Sequence, residues 1–239
     1  METKTKVDQA EVNAEVTGLT ARNSDAEARR ICIRFREVTH RFGPRSVLEN
    51  ISAEVHTGQV GIITGSNGSG KSTLLRVAAG LLTPMAGEVE IQVDGRTLCP
   101  DDRRSAIGLV APDLTLYREL TGAENLSFFA RLRGIDPTRE MLIEALTEVG
   151  LRGRGRDMVS GYSSGMRQRL KYAFAMLGRP PILMLDEPTA NLDVEGIAMV
   201  ERVVAIQKAR PDGGIVLVAT NEPRETAWGI PLIQLEATR

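Results

Sequence analysis

Apolar and charged positions alternate from residue 31 to 38, with Ile31, Ile33, Phe35 and Val38 set against Arg34, Arg36 and Glu37. That is the period of a half-buried strand. A second strand is expected over 51–55. Gln59-Val60-Gly61-Ile62-Ile63-Thr64 reads as a short buried strand that runs into GSNGSGKST and then into 74–79, a stretch of helical composition. Further strands are expected over 88–93, ending in the turn Asp94-Gly95, and over 106–110, 182–185, 215–219 and 232–235, with a helix near 194–208. The middle of the chain reads as helical. Thr121 and Glu124 make a capping box ahead of Leu126, Phe128, Phe129 and Leu132. Asp136-Pro137 supplies an N-cap and a first-turn proline for a second helix, which puts Met141, Leu142, Ala145, Leu146 and Val149 on one face and stops at Gly150. Strands alternating with helices in this way imply an α/β fold with a mostly parallel sheet flanked by helices.

Residues 1–30 break the pattern. They contain no aromatic residue and no apolar core of the kind a secretory signal needs, and they mix charges with Thr, Asn and Ser. Such a segment cannot repay its ordering entropy, so a disordered tail is expected there and the folded domain is expected to begin at Ile31. Composition bounds the remainder. A chain of 239 residues with 42% hydrophobic and 26% charged residues fits one sizeable core and excludes general disorder. A formal charge of -1 provides no global field toward nucleic acid or anionic lipid. The Arg152-Gly153-Arg154-Gly155-Arg156 run has no interleaved aromatics for base stacking, so it reads as a solvated connector and no nucleic-acid partner is expected. The apolar runs at 182–185 and 215–219 fall far short of the roughly 20 residues a spanning helix needs. Cys32 and Cys99 form no C-x-x-C pair and His40 and His56 lack zinc-ligand spacing, so the cysteines are expected to be packing residues in a reducing compartment.

Gly65-Ser66-Asn67-Gly68-Ser69-Gly70-Lys71-Ser72 matches G-x-x-x-x-G-K-[ST], the loop whose backbone N–H groups surround nucleotide phosphates at a helix start. Glycines let the backbone approach an anion, Lys71 supplies a point charge for the β- and γ-phosphates, and Ser72 offers a hydroxyl to Mg²⁺. With Thr73 continuing the helix, residues 66–73 are the candidate phosphate site. Downstream, Ile182-Leu183-Met184-Leu185-Asp186-Glu187 would carry two carboxylates to the carboxyl edge of the sheet. There Asp186 can hold Mg²⁺ and Glu187 can orient a water attacking the γ-phosphate. Asp-Glu-Pro alone would equally end a strand at a turn; the loop upstream favours the catalytic reading.

In this order the residues resemble an ATP-binding cassette ATPase, the nucleotide-binding subunit of ABC transporters, over about 31–235. Tyr162-Ser163-Ser164-Gly165-Met166 is similar to the family's L-S-G-G-Q signature, with Ser163 and Gly165 as strict matches. Ala190-Asn191-Leu192-Asp193 matches its D-loop, and Phe42 falls at its adenine-stacking aromatic. The resemblance implies a P-loop NTPase core, an N-terminal antiparallel β part and an inserted helical subdomain near 115–178. It also implies a head-to-tail homodimer in which Ser163, Ser164, Gly165 and Asp193 of one copy approach ATP held by the other. Two positions depart from the pattern. Pro112 stands at the metal-sensing glutamine, leaving Asp113 as the nearby group for a Mg²⁺ water, and Asn221 stands at the switch histidine. Asparagine can donate to a γ-phosphate but cannot become cationic, so slow turnover is expected. The leading expectation is an Mg²⁺-dependent ATPase on the cytoplasmic face of the cell membrane, powering export through a separate transmembrane permease and touching the membrane only through it. The alternatives are a soluble, non-transporting ABC ATPase, separable by co-purification with membranes, and a low-turnover ATP-dependent assembly switch, separable by single-turnover hydrolysis.

Overall fold

The computed structural model describes residues 29–236, so the expected tail lies outside the described residues except for Arg29 and Arg30. Two sheets carry the fold. The first is antiparallel and is formed by β1 (Ile31–Phe42), β2 (Arg45–His56), β4 (Ala86–Val93) and β5 (Arg96–Thr97), in the order β2-β1-β4-β5. The second contains β3 (Val60–Gly65), β6 (Ile107–Val110), β7 (Ile182–Asp186), β8 (Ile215–Thr220) and β9 (Ile230–Leu235), in the order β6-β7-β8-β3-β9 with every pairing parallel. The helices are α1 (Lys71–Ala78), α2 (Pro100–Ala106), α3 (Gly122–Leu132), α4 (Arg139–Glu148), α5 (Ser164–Met176), α6 (Val194–Lys208) and α7 (Pro223–Thr226).

The central strands read as unbroken apolar runs because both of their faces are covered. Alternate residues divide between two cores. Ile62, Leu183, Leu185, Val216 and Val218 join the core that includes Leu126, Leu146, Leu170 and Tyr172 from the helical segment between β6 and β7. Ile63, Ile182, Met184, Ile215, Leu217 and Ala219 join the core that includes Ile33, Phe35, Leu48 and Ile91 from the antiparallel sheet and Leu74 and Leu75 from α1. The functional edge is thus held from both sides by packed side chains. Arg133 ties α3 to the far end of α5, donating to the carbonyls of Phe174 and Leu177 and to that of Ile107 on β6.

Several sequence expectations need correction. The first two strands are 12-residue hairpin arms, not the short pieces at 31–38 and 51–55. Register shifts between Val38 and His40 and between His40 and Arg41 interrupt the alternation where the expected strand stops. The strand expected over 106–110 loses Ala106 to α2. The second helix starts at Arg139, capped by Thr138, whose Oγ1 accepts from Met141 N–H at 3.2 Å. Asp136 and Pro137 therefore precede the helix. Either Asp136 or Thr138 carries an oxygen suited to a cap, and the later one sets a start from which Ala145 and Leu146 reach the core. The cysteines are not core residues either: Cys99 is exposed at the start of α2 and Cys32 is half-buried on the outer sheet.

Candidate nucleotide site

Strand order creates the site. β8 lies between β3 and β7, with Thr220 level with Thr64 and Ala219 level with Asp186. Three adjacent strand ends therefore deliver the phosphate loop, Asn221 and the pair Asp186-Glu187 to one carboxyl edge, where ligands of open parallel sheets bind. The loop leaves no room for side chains at two of its glycines. A Cβ on Gly65 would lie 2.5 Å from Leu235 O and from Ser69 Oγ, and one on Gly70 (φ 102°) would lie 2.8 Å from Val47 O. Gly70 is the N-cap of α1 and offers no side chain, so the first N–H groups of that helix face the cleft without a side-chain cap.

Lys71 is only 5% exposed, and its Nζ donates to the loop's own carbonyls, Gly65 O at 2.8 Å and Ser66 O at 3.1 Å. Asp186 is 3% exposed and its Oδ1 has no hydrogen-bond partner. Burial holds this carboxyl above the usual carboxylate range, opposed first by a hydrogen bond from Ser72 and reinforced by the charge of neighbouring Glu187. Glu187 occupies a left-handed backbone conformation (φ 48°), with its N–H donating to Ala219 O at 2.9 Å. Asn221 Nδ2 donates to Asn67 Oδ1 at 2.9 Å, a direct link between the end of β8 and the phosphate loop.

A cleft of about 300 Å³ opens beside the loop, lined by Phe42, Arg45, Asn67, Lys71, Ser72 and Glu187 among others, with Gly68, Gly70 and Thr73 in its wall, while Asp186 and Asn221 do not line it. Phe42 is 51% exposed and stands edge-on to His40 at the rim, so it is not a core residue. A wider, shallower depression of about 580 Å³ lies over the outer face of the antiparallel sheet, around Arg34 and Glu54 and away from the phosphate loop.

The remaining candidate residues lie elsewhere. Ser163 caps α5 by accepting from Met166 N–H at 3.1 Å, and neither it nor Ser164 and Gly165 lines the cleft. Asp193 caps α6 through Gly196 N–H at 2.8 Å and pairs with Arg169 of α5 at 2.8 Å, which joins the middle of α5 to the start of α6. Asp113 is exposed and paired with Arg76 at 2.8 Å, while Lys171 donates to the Pro112 carbonyl at 2.7 Å.

Sequence reasoning missed four residues that shape the site. Arg45 lines the cleft and donates to Gly68 O at 3.3 Å. Tyr172 donates to Pro188 O at 2.8 Å, and Glu225, 1% exposed, accepts from both N–H and Oγ1 of Thr189. Tyr172 and Glu225 thus grip consecutive residues, Pro188 and Thr189, just beyond the acid pair. Lys171 is the fourth. Only the turn after Phe42 offered a signal, for Arg45; burial of a lone acid such as Glu225 carries none.

A strand, phosphate loop and helix with two acids at a neighbouring strand end, on an all-parallel sheet, defines a P-loop NTPase. The chain belongs to the ABC transporter family, whose profile matches residues 48–190. It is 38% identical over 185 residues to the uncharacterized ABC transporter ATP-binding protein YdbJ of Bacillus subtilis (strain 168), covering 77% of this chain and 59% of that protein. It is 38% identical over 180 residues to the cytochrome c biogenesis ATP-binding export protein CcmA of Xanthomonas oryzae pv. oryzae (strain MAFF 311018), covering 75% of this chain and 79% of that one. Among solved structures it resembles the dimeric ATP-binding cassette MJ0796 in a post-hydrolysis state bound to ADP and Pi, with a TM-score of 0.74 and 27% identity over 87% of this chain and 97% of that chain. No helix among the described residues is long and apolar enough to cross a membrane.

Proposed function

We propose that the chain binds and hydrolyses ATP as the nucleotide-binding subunit of an exporter, and that two copies closing head to tail on ATP drive a separate transmembrane permease. The observation that carries this reading is the meeting of Lys71, Asp186 and Glu187 at the carboxyl ends of β3 and β7. Phosphates take the N–H groups at the start of α1, and Lys71 Nζ turns to them from Gly65 O and Ser66 O. Phe42, exposed at the rim, supplies a face for the base. Asp186 is buried with an unpaired oxygen beside Ser72, an oxygen-donor pair that fits a hard cation, so these two residues would hold Mg²⁺. Asp186 and Ser72 would thereby place Mg²⁺ to offset charge on the phosphate oxygens. Glu187 orients the attacking water and accepts its proton. Ser163, Ser164, Gly165 and Asp193 lie away from their own cleft, which supports their use on the nucleotide of a second copy. The likeness to CcmA, an ATP-binding export protein, supports the export direction. A place on the cytoplasmic face of the membrane follows from coupling to a permease and ATP.

Glu187→Gln tests the assignment. ATP turnover should fall by about 100-fold or more, and the ATP-bound dimer should outlast that of the parent in sedimentation. Turnover near the parent value, or a shorter-lived dimer, removes Glu187 from this role.

A second reading, a low-turnover switch that uses ATP for assembly, is favoured by one observation: the amide at the switch position is already bonded to Asn67 of the phosphate loop. Single-turnover hydrolysis by the assembled dimer separates the two, since a transport motor completes the step within its cycle and an assembly switch retains ATP.

A further inference from the structure

The pairing of β1 with β2 sets Cys32 directly opposite His56, and Glu54, two residues before His56, faces the same side of the sheet. Glu54 Oε1 lies 3.2 Å from Cys32 Sγ and 3.1 Å from His56 Nε2. One ligand atom from each of the three residues falls within 4.8 Å of the others. A thiol, an imidazole and a carboxylate on one half-exposed surface form the donor set of a borderline-soft cation, with a fourth position left to water. We propose that Cys32, Glu54 and His56 form a binding site for a zinc-like divalent cation on the outer face of the antiparallel sheet, separate from the nucleotide cleft.

Arg34 is the competitor. Its Nε and Nη2 hold the Glu54 carboxylate at 2.7 and 2.9 Å. Its Nη1 already lies 3.4 Å from Glu90 Oε2, so a second acid receives the guanidinium when a metal takes Glu54. A metal binds the thiolate form of cysteine, so the proton of Cys32 must leave as the cation arrives. Binding therefore replaces the S–H bond with an S–metal bond and releases one proton to solvent per cation. The ion would fasten β1 to β2 one residue before Thr57-Gly58, the turn that leads into β3.

Because Cys99 is the only other cysteine, the full chain carrying Cys99→Ser has Cys32 as its sole thiol. Titration of that protein with Co²⁺, without nucleotide, should give a near-ultraviolet thiolate charge-transfer band that saturates at one equivalent and is displaced by Zn²⁺. Adding Cys32→Ser should abolish the band. His56 is exposed, so His56→Ala leaves the packing intact and should weaken Co²⁺ binding by at least about 10-fold. No thiolate band in the Cys99→Ser protein, or Co²⁺ affinity unchanged by His56→Ala, overturns the proposal. As a second readout, Zn²⁺ should raise the melting temperature of the parent more than that of His56→Ala at the same concentration; equal shifts in both also refute it.

Discussion

Replacing Glu225 tests whether the chain beyond the acid pair is held by that buried side chain. Oε1 of Glu225 accepts from Thr189 N–H at 3.1 Å and from Thr189 Oγ1 at 2.5 Å, and the residue is 1% exposed. Glu225→Ala leaves both donors of the half-buried Thr189 without that partner. Each unmet buried donor costs about 1–3 kcal/mol, which puts the loss near 3 kcal/mol once partial relaxation is allowed for. For a domain of this size 1 kcal/mol shifts the melting temperature by about 2–4 °C, so the variant should melt about 6–12 °C below the parent in scanning calorimetry. Glu225→Gln keeps an accepting oxygen and should lose less than about 1 kcal/mol. Thr189 leads into Ala190-Asn191-Leu192-Asp193, so ATP turnover should fall in the alanine variant even at temperatures where it is fully folded. A Glu225→Ala protein melting within about 2 °C of the parent refutes the argument, as does a Gln variant equally damaged, because the accepting oxygen would then not matter.

Two further outcomes follow from the site and the outer sheet. Asn221→His places a titratable ring where Asn221 now donates to Asn67, and steady-state ATP turnover should rise by about 10-fold or more; an unchanged rate means that the amide is sufficient. Glu54 is held down to about 2 by its hydrogen bonds from Arg34 and then Cys32, against an ordinary value of 4.5. A lowered carboxylate value stabilises the fold above 4.5 and loses that contribution as pH falls toward 2. The melting-temperature gap between parent and Glu54→Gln should therefore be widest above pH 4.5 and close on acidification, whereas a gap constant down to pH 2.5 contradicts the assignment.

Much of the fold was legible because its signals are local. The capping box of Thr121 and Glu124 forms as the spacing predicts, and the buried runs at 182–185 and 215–219 are the central strands. Signals failed where distant partners decide. Helix α2, with the sequence PDDRRSA, buries none of its residues and so has no apolar period to read. The hairpin arms were cut short in sequence because their bulges break the alternation. The phosphate loop and the acid pair were readable as motifs, since each needs its chemistry in consecutive residues. Tyr172 and Glu225 were not, because their importance is a matter of what lies across the interior from them. The same holds for Cys32, which spacing along the chain keeps apart from Glu54 and His56 and strand register brings beside them.

The ammonium group of Lys71 rests on two carbonyl oxygens of its own loop. The resting loop is thus a small ion cage already solvated by protein dipoles, and in the proposed role capture of a triphosphate would exchange one set of oxygens for another. Little reorganisation remains to be done when the anion arrives. In that role the same cage would reclaim the lysine once the phosphate chain shortens, which would loosen the hold on the spent nucleotide and favour its departure.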